Sequence, residues 1–342
     1  MRATLKQIAE MSGVHRSTVD KVLHGREGVS PEVRDRVQKI IDELGYQPNA
    51  IGKALAQQKN PKVIAVLLLR VDAQKEIRNG IESAYDELKS FGLKLEYFIS
   101  REDDSVEQLS YLTMLTKRKI DGLLIMPIDH PDIIKSINTL TDNKVPVITI
   151  NTDLPDSKRI CFVGQDSVKA GRVAGELLGE IIGGKGRVAQ ITSSERMLCS
   201  VERQNGFEQV IRERYPEIKI VDTLETYEEA LVAFQKTINL INTHKDLNGI
   251  YVTCGNVSEV GRAVRMLNCE NRIKIISFDL YPEITKLVHT GIINFTIGQN
   301  LPAQGYKGLK VLFDLVFANK MPASTFIGTA IDIRMRENIN IE

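Results

Sequence analysis

The sequence lacks the features that mark membrane, secreted and disulfide-stabilised proteins. No apolar run approaches the ~20 residues that a membrane-spanning helix needs, and the polar amino terminus lacks the apolar core of a signal peptide. The four cysteines are widely spaced and form no C-x-x-C pair, which favours free thiols over a disulfide or zinc framework. We therefore expect a cytoplasmic protein without a membrane segment.

Enzyme motifs are also missing from the sequence. It contains neither H-E-x-x-H nor G-x-S-x-G, and its five histidines show no metal-ligand spacing. Residues 179–186 have the glycine and lysine spacing of a phosphate-binding loop, but Gly186 replaces the required serine or threonine. We expect no enzyme activity, no cofactor and no metal site.

The net charge of +1 conceals an uneven distribution along the 342 residues. Residues 1–62 carry eleven basic and seven acidic side chains, whereas the remaining residues carry three more acidic than basic ones. A basic module ahead of a slightly acidic body concentrates attraction for a polyanion at one end of the chain. The length suits two or three domains.

The stretch from Thr4 to Leu23 has the pattern of two short helices joined by a tight turn. Gly13 can adopt the positive φ that the turn requires, and the second helix should begin near His15. The apolar residues at helical spacing in the first helix are Leu5, Ile8, Ala9 and Met11. The outer face of the second helix would present side chains that can reach DNA, namely His15, Arg16, Ser17, Asp20 and Lys21. The alternative is a small helical bundle with a polar face.

Two further helices are predicted before the body begins. Ser30 is a helix N-cap followed by Pro31, and an apolar stripe continues until Gly45 ends that helix. In residues 47–61, Pro48 and Asn49 can start a second helix of only about two turns, which would be marginal in water on its own. An ordinary linker is the alternative for this segment.

Residues 4–56 resemble the DNA-binding head and hinge helix of the lactose-repressor (LacI/GalR) family. The matching motifs are T-L-x-x-I-A at 4–9, S-G-V at 12–14, S-T-V-x-x-V-L at 17–23, V-S-P-E-V-R-x-R-V at 29–37, E-L-G-Y-x-P-N-A at 43–50 and A-L-A at 54–56. The resemblance implies a helix-turn-helix head at 1–46, a hinge helix and linker at 47–61, and a ligand-binding and dimerisation body at 62–342. It also implies a homodimer or a tetramer on double-stranded operator DNA.

The same resemblance implies which side chains contact DNA. Arg16 falls where the family reads major-groove bases and is suited to pair with guanine. Leu55 matches the leucine that wedges into the minor groove and kinks the duplex. The full implied set is Thr4, His15, Arg16, Ser17, Thr18, Lys21, Tyr46, Asn49 and Leu55. Asp20 replaces the small polar residue that is usual in the family, which leaves the target sequence open.

From residue 62 onward, apolar strands alternate with helices. Continuous apolar runs such as 63–69 are typical of parallel strands that are covered on both faces. The alternation is too long for a single open sheet, so it predicts two doubly wound parallel-sheet α/β subdomains. Subdomain N would comprise about residues 62–165 and 300–328, and subdomain C about 166–299 and 329–342. The predicted crossover segments lie near 164–166, 298–300 and 326–329.

The order of elements in the body resembles sugar-binding proteins of the periplasmic-binding-protein type I fold. In that fold the ligand lies between the subdomains, against loops at the carboxyl ends of strands. The resemblance implies ligand contacts at Asn151, Asp153, Arg203, Asn256, Asp279 and Gln299, although each could instead be a polar loop cap. The first cleft loop departs from the pattern, because it carries Arg70, Asp72 and Gln74 where sugar binders commonly place an asparagine and aromatic residues. Arg70 and Asp72 therefore join the candidates, and a charged or acidic sugar derivative becomes a plausible ligand.

These features predict a ligand-responsive bacterial transcriptional regulator, most consistent with a repressor. Its partners would be operator DNA, a sugar or sugar derivative, and a second copy of itself. Two other classes stay open. A solute-binding protein for sugar uptake is disfavoured by the basic head and the missing signal peptide. An α/β enzyme acting on sugar phosphates is disfavoured because the sequence lacks a catalytic constellation.

Overall fold

The computed structural model describes residues 5–23, 26–44, 61–101 and 104–339. The chain divides into two compact units, residues 1–60 and residues 61–342. Four of the residues predicted to contact DNA, Thr4, Tyr46, Asn49 and Leu55, lie outside the described residues, as do residues 47–60 of the predicted hinge.

The first unit contains three helices around a small apolar core. They are α1 (Leu5–Ser12), α2 (Arg16–Leu23) and α3 (Pro31–Glu43). Ser30 caps α3 by accepting a hydrogen bond from the Val33 amide, and Gly13 adopts a φ of +65° between α1 and α2, both as predicted. The core consists of Ile8, Ala9, Val19, Val22, Val37 and Ile41.

Met11 does not join this core, although the sequence places it with the apolar residues of α1. Its side chain is 58% exposed. Two residues after Ala9, Met11 lies on nearly the opposite side of an α-helix, because successive residues rotate by about 100°. Ala9 itself is buried.

The second unit alternates strands and helices. The strands are β1 (Lys62–Leu69), β2 (Leu93–Ser100), β3 (Gly122–Ile125), β4 (Val147–Ile150), β5 (Cys161–Gln165), β6 (Lys185–Thr192), β7 (Glu217–Glu225), β8 (Leu247–Val252), β9 (Lys274–Phe278), β10 (Phe295–Gly298), β11 (Phe326–Thr329) and β12 (Asp332–Arg334). The helices are α4 (Ala73–Leu88), α5 (Ser105–Lys117), α6 (Pro131–Asp142), α7 (Ser167–Ile181), α8 (Leu198–Arg214), α9 (Ala230–Thr243), α10 (Val257–Met266), α11 (Pro282–His289) and α12 (Leu301–Ala318).

The strands form two six-stranded sheets. The first sheet has the order β11–β5–β4–β3–β1–β2, and all its strands are parallel. The second has the order β12–β10–β9–β8–β6–β7 and is parallel except for the antiparallel edge strand β12. The predicted fold of two parallel-sheet α/β subdomains is confirmed. The first subdomain contains the first sheet, and the second subdomain contains the second sheet.

The chain passes between the subdomains three times. The passages lie between Gln165 and Ser167, between Gly298 and Leu301, and between Thr329 and Asp332. The predicted crossover segments near 164–166 and 326–329 are therefore partly strand, because β5 and β11 occupy these residues.

Five elements are not predicted by the sequence, namely β5, β11, β12, α7 and α12. The three strands are only three to five residues long, which is too short for a clear periodic pattern. The two helices contain several buried glycines each, and glycine has a low helix propensity. Tertiary packing, rather than local preference, makes these two segments helical.

Each subdomain has its own apolar core. Residues 64–69 of β1 are completely buried in the first, which explains why this strand reads as a continuous apolar run. The second sheet is covered on one face by α9, α10 and α11 and on the other by α7 and α8. Among the described helices, none combines the length and apolar character needed to cross a membrane.

Two pairs of helices cross with their backbones in contact at glycines. A β-carbon on Gly80 of α4 would lie 1.8 Å from the carbonyl oxygen of Pro302 in α12. A β-carbon on Gly171 of α7 would lie 2.0 Å from the carbonyl oxygen of Arg203 in α8. The second crossing matters for the functional site, because it fixes the part of α8 that carries Arg203.

We predict that Gly80→Ala lowers the free energy of unfolding by about 1–3 kcal/mol, because the added methyl group must displace the backbone of α12. The better helix propensity of alanine offsets only about 1 kcal/mol of the clash. Asn79→Ala, at the adjacent exposed position, is the matched control and should change stability by less than about 0.5 kcal/mol. Urea unfolding of the full chain measures both, and equal stability of the two variants would contradict the close crossing.

Candidate functional site

A cavity lies between the two subdomains at the carboxyl ends of strands from both sheets. Loops that follow β1, β4, β6, β7, β8, β9 and β10 form its walls, and its volume is about 40 Å³. Ligands of doubly wound α/β folds bind at this edge. The volume admits only a water-sized molecule, so a larger ligand requires the subdomains to separate.

A larger groove of about 750 Å³ lies at the opposite edge of the first sheet. It is formed near the amino ends of β1, β3 and β4, where Lys62 Nζ and Asp121 Oδ1 form an ion pair at 2.6 Å. Ligand sites of this fold lie at the carboxyl ends instead. The smaller cavity between the subdomains is therefore the stronger candidate despite its volume.

A chain of hydrogen bonds joins the subdomains at this cavity. Gln299 accepts a hydrogen bond from Arg203 Nη2 and donates one to Asp279 Oδ1 at 2.6 Å. Asn151, which follows β4 in the first sheet, donates to Gln299 Oε1 at 3.5 Å and to Gln304 Oε1 at 3.3 Å. The structure thus brings together four of the residues that the sequence identifies as ligand contacts.

Arg203 is fixed in orientation from several sides. Its side chain is 3% exposed, and Nη1 donates to the carbonyl oxygen of Thr253 at 2.8 Å. The guanidinium also stacks on Phe278, with 3.9 Å between Cζ and the ring centroid. A guanidinium that is stacked and hydrogen-bonded in this way presents its remaining N–H groups in fixed directions. One of them, Nε–H, has no hydrogen-bond partner among the described residues.

Asp279 is a buried carboxyl group beside this guanidinium. Burial raises its pKa above the usual range, whereas the charge of Arg203 and the hydrogen bond from Gln299 act in the opposite direction. Asp279 also has a φ of +73°, and Asn151 and Asn256 have φ values of +66° and +60°. Left-handed backbone at these three predicted site residues is local strain of the kind that clusters at functional sites.

Asp72 extends from the first subdomain towards the second. Its carboxylate accepts a hydrogen bond from the backbone amide of Asn256, which immediately precedes α10. Partial burial of the carboxylate, together with the nearby charges of Glu259 and Glu283, raises the pKa of Asp72. Asp72 as a whole remains exposed, which places it at the mouth of the cavity that it lines.

Three of the predicted ligand residues lie outside the lining of the cavity. Arg70 is exposed to solvent. Asp153 forms a largely buried ion pair with Arg159 and accepts a hydrogen bond from the Thr149 hydroxyl at 2.6 Å. Asn256 is 8% exposed and contacts Asp72 through its backbone, whereas its side-chain Nδ2 has no partner among the described residues.

The cavity lining also includes residues that the sequence analysis does not identify, among them Met197, Cys199, Glu228 and Tyr281. Glu228 lies three residues beyond β7, and Tyr281 lies two residues after Asp279. A search of every loop that follows a predicted strand would have found Tyr281, whereas Glu228 has no distinguishing local pattern. Met197 and Cys199 give no such signal, because they are apolar or weakly polar residues that pack into the core of the first subdomain.

The first unit presents the predicted polar face on α2. Arg16, Ser17, Lys21 and the preceding His15 are exposed, and Thr18 is partly buried. Asp20 Oδ2 lies 3.4 Å from Arg26 Nη1. This ion pair partly offsets the negative charge that distinguishes α2 from the family pattern.

We predict that Arg203→Ala lowers the free energy of unfolding by about 3–5 kcal/mol, because it leaves the buried carboxyl of Asp279 without its counter-charge. Arg214→Ala is the matched control, since Arg214 lies on the same helix and pairs with Glu176 in solvent. It should cost less than about 1 kcal/mol. Chemical denaturation distinguishes the two, and similar losses would show that Arg203 is not a structural centre of the cleft.

Comparison with known families identifies both units of the chain. Residues 64–320 match the periplasmic binding protein domain, and residues 4–49 match the lacI family of bacterial regulatory proteins. GanP, a glucose-galactose binding protein from Geobacillus stearothermophilus, has a solved structure that is 29% identical in sequence. It covers 82% of this chain and 99% of its own, with a TM-score of 0.75.

Curated relatives share the regulatory character of the first unit. The HTH-type transcriptional regulator CelR from Thermobifida fusca is 24% identical over 81% of this chain and 82% of its own length. The HTH-type transcriptional repressor PurR from Aliivibrio fischeri is 28% identical over 60% of this chain and 59% of its own length. CelR and PurR are transcription regulators, and GanP is a sugar-binding protein. The chain therefore belongs to the lacI family of bacterial regulatory proteins, as a transcriptional regulator whose body is a periplasmic binding protein domain.

Proposed function

We propose that this regulator is a repressor that binds a pseudo-palindromic operator as a homodimer and responds to a sugar-like effector. The effector would bind in the cavity between the subdomains. The observation that carries the proposal is the convergence of Asn151, Arg203, Asp279 and Gln299 from both subdomains on one hydrogen-bonded network. Such convergent polar groups at the carboxyl ends of strands are typical of ligand sites in this fold.

The chemistry of the network suits a ligand with hydroxyl groups. A hydroxyl both donates and accepts hydrogen bonds, and the site offers acceptors at Asp279 and donors at Arg203 and Asn151. Buried groups of this kind discriminate strongly, because a ligand without the matching hydroxyl leaves them unpaired. The similarity of the body to GanP supports a sugar or sugar derivative as the effector.

The contacts across the cleft provide a means of switching. The backbone amide of Asp129, after β3, donates to the carbonyl oxygen of Arg196, after β6, at 3.0 Å. Met197 and Cys199 of the second subdomain pack into the core of the first. Moving the subdomains apart would break these contacts. Because the cavity of about 40 Å³ has no room for a sugar, an effector that binds with the subdomains further apart would shift the population away from the present arrangement.

We propose that a change in the angle between the subdomains is transmitted to DNA through the hinge at residues 47–61. The body begins at Lys62 in β1, so movement of the first subdomain moves the end of the hinge. In a dimer this changes the spacing of two hinges and the cost of folding them in the minor groove, where Leu55 would wedge between bases. Effector binding and operator binding are then linked through the hinge.

We predict that Arg16→Ala lowers affinity for a selected operator by about 10- to 100-fold, because a bidentate contact with guanine contributes roughly 1–3 kcal/mol. An operator is first selected from a pool of random duplexes. Its affinity for each variant is then measured by fluorescence anisotropy at one fixed salt concentration. The ratio of operator to random-duplex affinity should fall as well.

Lys39→Ala is the matched control for this experiment. It removes one positive charge from an exposed position on α3, outside the proposed recognition helix. It should weaken operator and random duplex equally, if it weakens either. If Arg16→Ala and Lys39→Ala lost the same amount of specificity, binding would depend on net charge alone. That result would contradict the reading of bases by α2.

A further inference from the structure

Two buried glutamines lie where the chain passes between the subdomains. Gln165 ends β5, immediately before the first passage, and its side chain is buried. Gln304 lies near the start of α12, just after the second passage, and is also buried. Neither side chain lines the cavity, so contact with a ligand in the cavity does not explain why these two amides are buried here.

Gln165 joins all three passages. Its Nε2 donates to the carbonyl oxygen of Gly298 at 3.1 Å and to that of Ala330 at 2.9 Å. Gly298 lies at the start of the second passage and Ala330 lies within the third, whereas Gln165 itself stands at the start of the first. Because a side-chain amide carries two N–H groups, both donors of Gln165 are used on carbonyl groups of the other two passages.

Gln304 adds a second connection and extends it to the cavity. Its Nε2 donates to the carbonyl oxygen of Gln299 at 3.1 Å, in the second passage, and to the hydroxyl of Thr329 at 3.4 Å, at the start of the third. Its Oε1 accepts a hydrogen bond from Asn151 Nδ2 at 3.3 Å. Since Asn151 and Gln299 line the cavity, the passages and the cavity belong to one hydrogen-bonded network.

The hydrogen bonds of Gln165 depend on the angle between the subdomains. Two subdomains rotate relative to each other through changes of the backbone dihedral angles in the segments that connect them. Such changes reorient the carbonyl groups of these segments. Gln165 therefore keeps both hydrogen bonds only while the carbonyl groups of Gly298 and Ala330 stay in their present positions.

We propose that Gln165 and Gln304 form a passage clamp, which holds the three passages together and stabilises the present angle between the subdomains. Separating the subdomains breaks the clamp, so it opposes the movement that admits a larger molecule to the cavity. Both glutamines are positioning residues, because they act through the passages and through Asn151 and Gln299. The link to an effector rests on the proposed function, whereas the clamp itself is tested without any ligand.

Two native cysteines report separately on separation and unfolding. Cys199 belongs to α8 of the second subdomain but packs into the core of the first and lines the cavity, so separation of the subdomains exposes its thiol to iodoacetamide. Cys161 lies in β5, inside the core of the first subdomain, and is exposed only when that core unfolds. We therefore expect Cys199 to be alkylated faster than Cys161 in the unchanged protein.

We predict that Gln165→Met, which keeps a side chain of similar length without the amide, raises the alkylation rate of Cys199 about 5- to 100-fold, because two hydrogen bonds that stabilise the present angle are lost. Mass spectrometry of peptides from the full chain, without DNA, measures the rate at each cysteine. Gln304→Met should raise the rate at Cys199 as well. A merely structural role of Gln165 would raise the rate at Cys161 and leave that at Cys199 unchanged.

Gln235→Met is the matched control, because it makes the same substitution at an exposed position on α9. It should leave both rates unchanged. An unchanged rate at Cys199 in Gln165→Met would overturn the clamp. Equal rates at Cys199 and Cys161 in the unchanged protein would overturn it too, because the subdomains would then separate only on unfolding. Neither result involves an effector, so the proposed sugar-responsive function is tested independently.

Discussion

A buried positive charge determines how the two subdomains meet. Arg203 can remain in the interior only because Thr253, Phe278 and Gln299 surround it with a hydrogen-bond acceptor, an aromatic face and an amide oxygen. These partners come from three neighbouring strands of one sheet, and Asn151 extends the network into the other. The close crossing of α7 and α8 at Gly171 holds the helix that carries the charge. The cavity between the subdomains is therefore lined by the side chains that keep this charge buried.

The same arrangement supports our proposal that a small molecule in the cleft controls DNA binding. Three chain passages connect the subdomains, so they can change their angle without unfolding. The backbone contact of Asp129 with Arg196 and the packing of Met197 join the two subdomains in the present arrangement.

Local patterns in the sequence predict the scaffold well. The bounds of α6 and α11 follow from prolines in their first turns and from apolar periodicity. The burial of β1 follows from its continuous apolar run. Both signals act within a few residues. The cavity is harder to predict, because its walls come from seven loops that only the tertiary fold brings together. Asp153 resembles a ligand contact in sequence, but Arg159 neutralises it in the structure. Glu228 has no distinguishing local pattern, yet it meets Asp72 across the cleft.

Locking the cleft tests most directly whether its angle controls DNA binding. Asp129 and Arg196 are joined by a backbone hydrogen bond of 3.0 Å, so cysteines at both positions are close enough for a disulfide that holds the subdomains together. Operator affinity of this double variant is measured in its oxidised and reduced forms, with the reduced form as the internal control. If the cleft angle controls DNA binding, we expect oxidation to change the affinity by about tenfold or more. Equal affinities of the locked and unlocked forms would contradict it.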